Sequence, residues 1–194
     1  MIFEKVVLLQ PIKQRVMEDK LYFEQFDVAF VKLSLGKHEL ECKVDKTFFE
    51  KHTNDEISDA DVKVSIQIEK LETMMHFRFH LQGDITLKCD LCLDDLHFPL
   101  DTSEDFVLKK AHRDEVLSED ENMIYLDQDA YSYNIEQIVY ELIYAAVPMR
   151  KVHGDYPGQQ CNQEMLNLLE AHQQKEENTV VCDPRWEALK NVKL

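Results

Sequence analysis

The chain has 194 residues, 44% of them hydrophobic, with only 4 Gly and 5 Pro, which suits a globular core and excludes a disordered or low-complexity protein. No apolar run approaches the ~18 residues of a membrane span, and the start Met-Ile-Phe-Glu-Lys lacks the basic and apolar segments of a secretion signal, so the expected compartment is the cytoplasm. A formal net charge of -16 opposes a phosphate backbone and suits a basic partner, while an odd 5 Cys fits metal ligands or core residues better than a disulfide framework.

Residues 2–9 read as a first strand closed by Pro11, and Phe26 to Leu33 as a strand buried on both faces. Gly36-Lys37 reads as a hairpin turn into a returning strand, Glu39 to Val44, with Leu40, Cys42 and Val44 on one face. Cys42 is then a small core residue. Lys46 to His52 suggests a short helical turn, and the acidic stretch Thr53 to Asp61 an exposed loop.

Strict alternation follows. Val62, Val64, Ile66 and Ile68 share one face, as do Met75, Phe77, Phe79 and Leu81, leaving His76 and His80 toward solvent. Gly83-Asp84 is read as a break that turns the chain into a third strand from Ile85. Three antiparallel strands then lead to Cys89 and Cys92. Two thiols at that spacing can turn inward from a tight loop and bind one soft ion. Phe98 to Lys109 and Met123 to Leu126 are further strands, with the charged loop His112 to Asn122 between them.

Asn134 can cap a helix, with Gln137 placed as in a capping box. Ile135, Ile138, Val139, Leu142, Ile143 and Ala146 form its apolar stripe, and Pro148 stops it. A Gly/Pro-rich loop, Met149 to Gln160, carries His153 and leads to Cys161. Asn162 caps a second helix with Met165, Leu166 and Leu169 inward, and Asp183-Pro184 opens a last helix docked by Trp186 and Leu189.

The favoured ligand set is Cys89, Cys92, His153 and Cys161, with Cys182 as the substitute ligand. Four protein ligands make a structural zinc site, because no position stays open for water. The ion would join the knuckle to the loop between the late helices. A redox role is disfavoured, since no helix N-terminus follows Cys89. No His-Glu-x2-His motif, phosphate-binding Gly-rich loop or Gly-x-Ser-x-Gly elbow is present, so the chain reads as a non-enzyme with no small-molecule substrate. The expected fold is α+β: an antiparallel sheet or partly closed barrel with two or three C-terminal helices and a Cys/His metal knuckle. It is read as one domain over residues 1–194, mostly β to residue 110 and mostly α beyond it.

Three segments together resemble the YceD family, the large ribosomal RNA subunit accumulation proteins. They are Cys89-Asp-Leu-Cys92-Leu93; Asn134-Ile135-Glu136 through Glu141 to Val147-Pro148; and Asp183-Pro184-Arg185-Trp186 with Leu189 and Lys190. Members often carry a second cysteine pair after the Val-Pro segment. Here Cys161 alone falls there, with His153 ahead of it, and histidine in place of one cysteine preserves a zinc site chemically. The resemblance implies a role in large-subunit assembly, with a ribosomal protein or the ribosomal RNA of that subunit as partner and no assigned catalytic residue. Two readings stay open. One is a non-enzymatic factor that shields a basic ribosomal protein through acidic loops at Asn54 to Asp61 and Ser118 to Glu121. The other is a direct, zinc-dependent binder of ribosomal RNA through Lys109, Lys110, His112, Arg113, Arg150 or Lys151.

Overall fold

The computed structural model describes residues 22–52, 56–111 and 122–177, with side chains to residue 172. The chain divides into two compact units. Among the described residues, the first holds those from Tyr22 to Leu87 and from His97 to Met149, and the second holds Lys88–Leu96 and those from Arg150 to Glu177. The proposed first strand, the loop 112–121, Cys182 and the last helix lie outside the described residues.

Unit one is built on long strands. β1 (Asp27–Val28) is followed by a 3-10 turn (Phe30–Lys32), β2 (Gly36–Asp45), α1 (Lys46–Lys51), β3 (Asp59–Lys70) and β4 (Met74–Lys88). Then come β5 (Asp95–Lys110), β6 (Met123–Leu126), β7 (Tyr133–Asn134) and α2 (Glu136–Ala146). The sheet order is β2-β3-β4-β5-β6, open rather than barrel-like, and β1 pairs with β7 in a separate two-stranded sheet. β2 with β3 and β3 with β4 are antiparallel, whereas β5 and β6 run parallel. The fold is therefore α+β around a mostly antiparallel sheet.

Alternation builds the core. Val62, Val64, Ile66 and Ile68 from β3 and Phe77, Phe79, Leu81, Ile85 and Leu87 from β4 are all buried. They share one cluster with Ile135, Ile138, Val139, Leu142 and Ile143 of the helix stripe. Cys42 and Val44 join it, and burial pushes the Cys42 thiol up to about 12. α1 starts where the Asp45 carboxylate accepts the Thr47 N–H at 2.9 Å, an N-cap. At α2, Asn134 Oδ1 accepts the Glu136 N–H at 2.9 Å. The reciprocal half of the expected capping box is replaced, because Gln137 donates to Glu141 at 2.7 Å. Glu136 is buried but paired, its two oxygens 2.6 and 2.7 Å from the Lys51 ammonium.

Several local readings are corrected. Phe26 to Leu33 is no continuous strand: only Asp27–Val28 pair, and Phe30–Lys32 form the 3-10 turn with Val31 exposed. Gly36 is the first residue of β2 opposite Lys70, not a hairpin turn, so β2 has β3 rather than a preceding strand as its antiparallel neighbour. The segment read as a loop to Asp61 already contains the first residues of β3 and the buried Ile57.

The largest correction is at Gly83. β4 runs straight through it, paired residue by residue with β3. Two long strands, not three, lead to the cysteines from β3 onward. A Cβ at Gly83 would lie 2.1 Å from the Asp61 carbonyl oxygen and 2.7 Å from Val62 Cα. Glycine is there because the β3 backbone passes where a side chain would be. The odd-numbered apolar phase, Met75 to Leu81 and on to Ile85 and Leu87, carries across it unbroken.

Candidate metal centre

Unit two starts where β4 ends. The Cys89 N–H donates to the Asp94 carbonyl at 3.0 Å and the Leu93 N–H to the Cys89 carbonyl at 2.9 Å. These two bonds close a tight knuckle that turns both cysteines inward, where both are fully buried. Leu93 completes it at φ 63°, the left-handed region. That conformation costs a non-glycine residue about 1–2 kcal/mol.

The other two candidate ligands come from the segment after Arg150. A 3-10 turn, His153–Asp155, buries the imidazole, and Cys161 stands half-buried just ahead of α3 (Gln163–Glu177). Asn162 starts that helix by accepting the Glu164 N–H at 3.0 Å. Met165 and Leu166 are partly buried, but Leu169 is 39% exposed, contrary to its expected inward placement.

The ligand atoms of Cys89, Cys92, His153 and Cys161 all lie within 4.8 Å of one another, and this is the one such cluster among the described residues. Cys89 Sγ is 3.8 Å from Cys161 Sγ, and Cys92 Sγ is 3.3 Å from His153 Nδ1. His153 Nε2 sits 2.9 Å from the Asp95 carbonyl. The carbonyl can only accept, so Nε2 carries the proton and Nδ1 faces the sulfurs with its lone pair free. Such an outer hydrogen bond fixes the tautomer and orientation of a metal-binding histidine.

Electrostatics favour a cation at the centre. Burial opposes ionisation of Cys89, but N–H groups of Cys92, Leu91 and His153 and the Cys92 thiol stabilise its thiolate and pull it down to about 6. The Cys161 thiol is pushed up to about 11, by burial first and then by its contact with Cys89. A positive ion would favour the thiolate at all three sulfurs. Three sulfurs and an imidazole in a mostly buried pocket can thus hold a metal ion.

One positioning residue was missed by sequence reasoning. Asp90 binds the segment that delivers His153: its N–H donates to the Lys151 carbonyl at 2.7 Å, and its carboxylate accepts the Lys151 N–H at 2.6 Å. The Asp between two close cysteines was the available signal, but its partner 61 residues away was not. Two of the basic candidates are also engaged: Lys110 donates to the Gln128 carbonyl at 2.9 Å, and Arg150 lies 3.8 Å from Asp155, while His112 and Arg113 lie outside the described residues.

No described helix is long and apolar enough to cross a membrane. No curated protein and no solved structure matches the chain. A family model described as "Large ribosomal RNA subunit accumulation protein YceD" matches residues 77–193, a span that holds both cysteine segments and covers more than half of the sequence. The chain therefore belongs to the YceD family.

Proposed function

We propose that this protein is a non-catalytic, cytoplasmic factor in assembly of the large ribosomal subunit, acting through an acidic surface on a zinc-stabilised fold. Membership in a family described by large-subunit ribosomal RNA accumulation is the observation that carries this reading. Zinc suits the donor set. Tetrahedral bonds of zinc to thiolate and imidazole imply edges of about 3.8 Å between sulfurs and about 3.5 Å from sulfur to nitrogen. The Cys89–Cys161 and Cys92–His153 separations are 3.8 and 3.3 Å, and all four ligand atoms lie within 4.8 Å of one another. Four protein ligands leave no position for a reacting water, as in a structural rather than a catalytic ion.

The net charge of -16 directs the choice of partner. It repels bare ribosomal RNA and attracts the basic proteins that coat it, and such complementarity favours fast, salt-sensitive association. The factor would hold a large-subunit protein until that protein meets its RNA.

The test is the ratio of large- to small-subunit ribosomal RNA in cells lacking the protein. It should fall, and wild-type protein should restore it where Cys92→Ser does not. An unchanged ratio would overturn the assembly role. A gel shift of large-subunit RNA by the isolated protein would favour direct RNA binding instead.

A further inference from the structure

We propose that the tip of the cysteine knuckle, Leu91 and Leu93 flanked by Asp90 and Asp94, is a docking point for a basic protein segment that places apolar side chains between its lysines or arginines. This rests on the reading of the chain as a factor that binds basic large-subunit proteins.

The first observation is exposure. Leu91 is 40% exposed and Leu93 64%, while the cysteine between them is fully buried. Leu93 gains little from packing within the unit, and Leu91 beside the inward sulfur is only partly covered.

The second is the backbone. Leu93 occupies φ 63°, a conformation that glycine adopts without penalty and that leucine resists. A knuckle built only to present two sulfurs would be better served by glycine. Backbone strain retained beneath a solvent-facing leucine is accounted for when the side chain is used by something outside the fold.

Rigidity makes that use efficient. The Leu93 N–H to Cys89 carbonyl bond, the Cys89 N–H to Asp94 carbonyl bond and the Asp90 clamp on Lys151 hold both leucines in place before any partner arrives. A preorganised tip loses little conformational freedom on binding.

Charge selects the occupant. Lys88 balances Asp95 at 2.6 Å and Lys151 lies 4.0 Å from Asp90, which leaves Asp94 as the knuckle carboxylate without a lysine partner among the described residues. Three thiolates around a divalent ion would leave one further negative charge. Phosphate is repelled from such a tip, and a lysine- or arginine-bearing segment is drawn to it.

The experiment titrates fluorescently labelled, zinc-loaded full-length protein with purified basic proteins of the large subunit, one at a time. It includes a single-stranded fragment of large-subunit RNA and the unlabelled protein itself. Wild type is compared with Leu93→Gly and Leu91→Ser. At least one basic protein should bind, and both variants should weaken it tenfold or more. Leu93→Gly should keep one zinc per chain and melt no lower than wild type, which separates lost docking from lost folding. Undiminished binding by both variants would overturn the tip while leaving the assembly role intact. Binding to none of the basic proteins, or only to the RNA or to a second copy, would overturn both.

Discussion

Removing the zinc ion proposed for the Cys/His cluster should melt unit two and leave unit one folded. Among the described residues, the fully buried side chains of the unit-two cluster are Cys89, Cys92 and Leu96, with Tyr156, Cys161 and Met165 partly buried around them. Two of those three are candidate ligands. Burying Leu96 contributes about 2 kcal/mol. Ordering the nine residues Lys88–Leu96 alone, before the segment from Arg150 is counted, costs roughly 9–18 kcal/mol of backbone freedom. A structural zinc ion contributes about 10–16 kcal/mol at neutral pH, net of the ordering it drives, a scale that one buried leucine does not approach. Unit one has its own extensive core, from Phe26 and Phe48 through β3, β4 and α2, and needs no ion. Hydrogen exchange read by mass spectrometry tests this directly. Chelation should strip protection from the amides of Cys89, Leu93 and Tyr156, all hydrogen-bonded within unit two. Val64 and Ile66 in β3 should keep theirs. Full protection of the unit-two amides in protein shown by elemental analysis to be metal-free would refute the reasoning.

Three further outcomes are expected. Gly83→Ala drives a Cβ against the Asp61 carbonyl oxygen and should cost about 3 kcal/mol or more, lowering the melting temperature by roughly 6 °C or more; a melt unchanged from wild type would contradict the close approach of β3. Asp90→Ala frees the Lys151 segment and should weaken metal binding about 10- to 100-fold, while Asp90→Asn, whose amide oxygen can still accept the Lys151 N–H, should recover part of it in a competition titration. In acid, unit two should fail before unit one. The Cys89 thiol is held at about 6, below the ordinary ~8.5. Folding therefore favours its thiolate, so its contribution is full above the ordinary value and is lost as pH falls through about 6. Proton competition for the ion acts in the same direction. Equal loss of amide protection in both units across that range would count against this assignment.

How legible the molecule was depends on the range of the interaction. The period-two runs at Val62 to Ile68 and Met75 to Leu81, and the helical stripe from Ile135, are local records of which face is buried, and each sits where its pattern put it. Where the signal was punctuation, the reading failed. Gly83 looked like a stop because glycine often is one, but its meaning lay in the β3 backbone against it. Phe26 to Leu33 is apolar on both faces, yet its buried residues come from a two-residue strand and a 3-10 turn, which leave no period to detect.

The sequence by itself determined the chemistry available: a Cys-x2-Cys pair, one histidine and one cysteine of the right type downstream, an acidic balance and two strongly patterned strands. Only the tertiary structure decided that four ligand atoms from segments 61 and 72 residues apart meet within 4.8 Å, that Asp90 holds the segment carrying one of them, and that Leu93 stands strained and exposed beside them. The reason is physical. Burial patterns are written residue by residue along the chain, whereas convergence, close approach and backbone strain are properties of segments that meet only after folding.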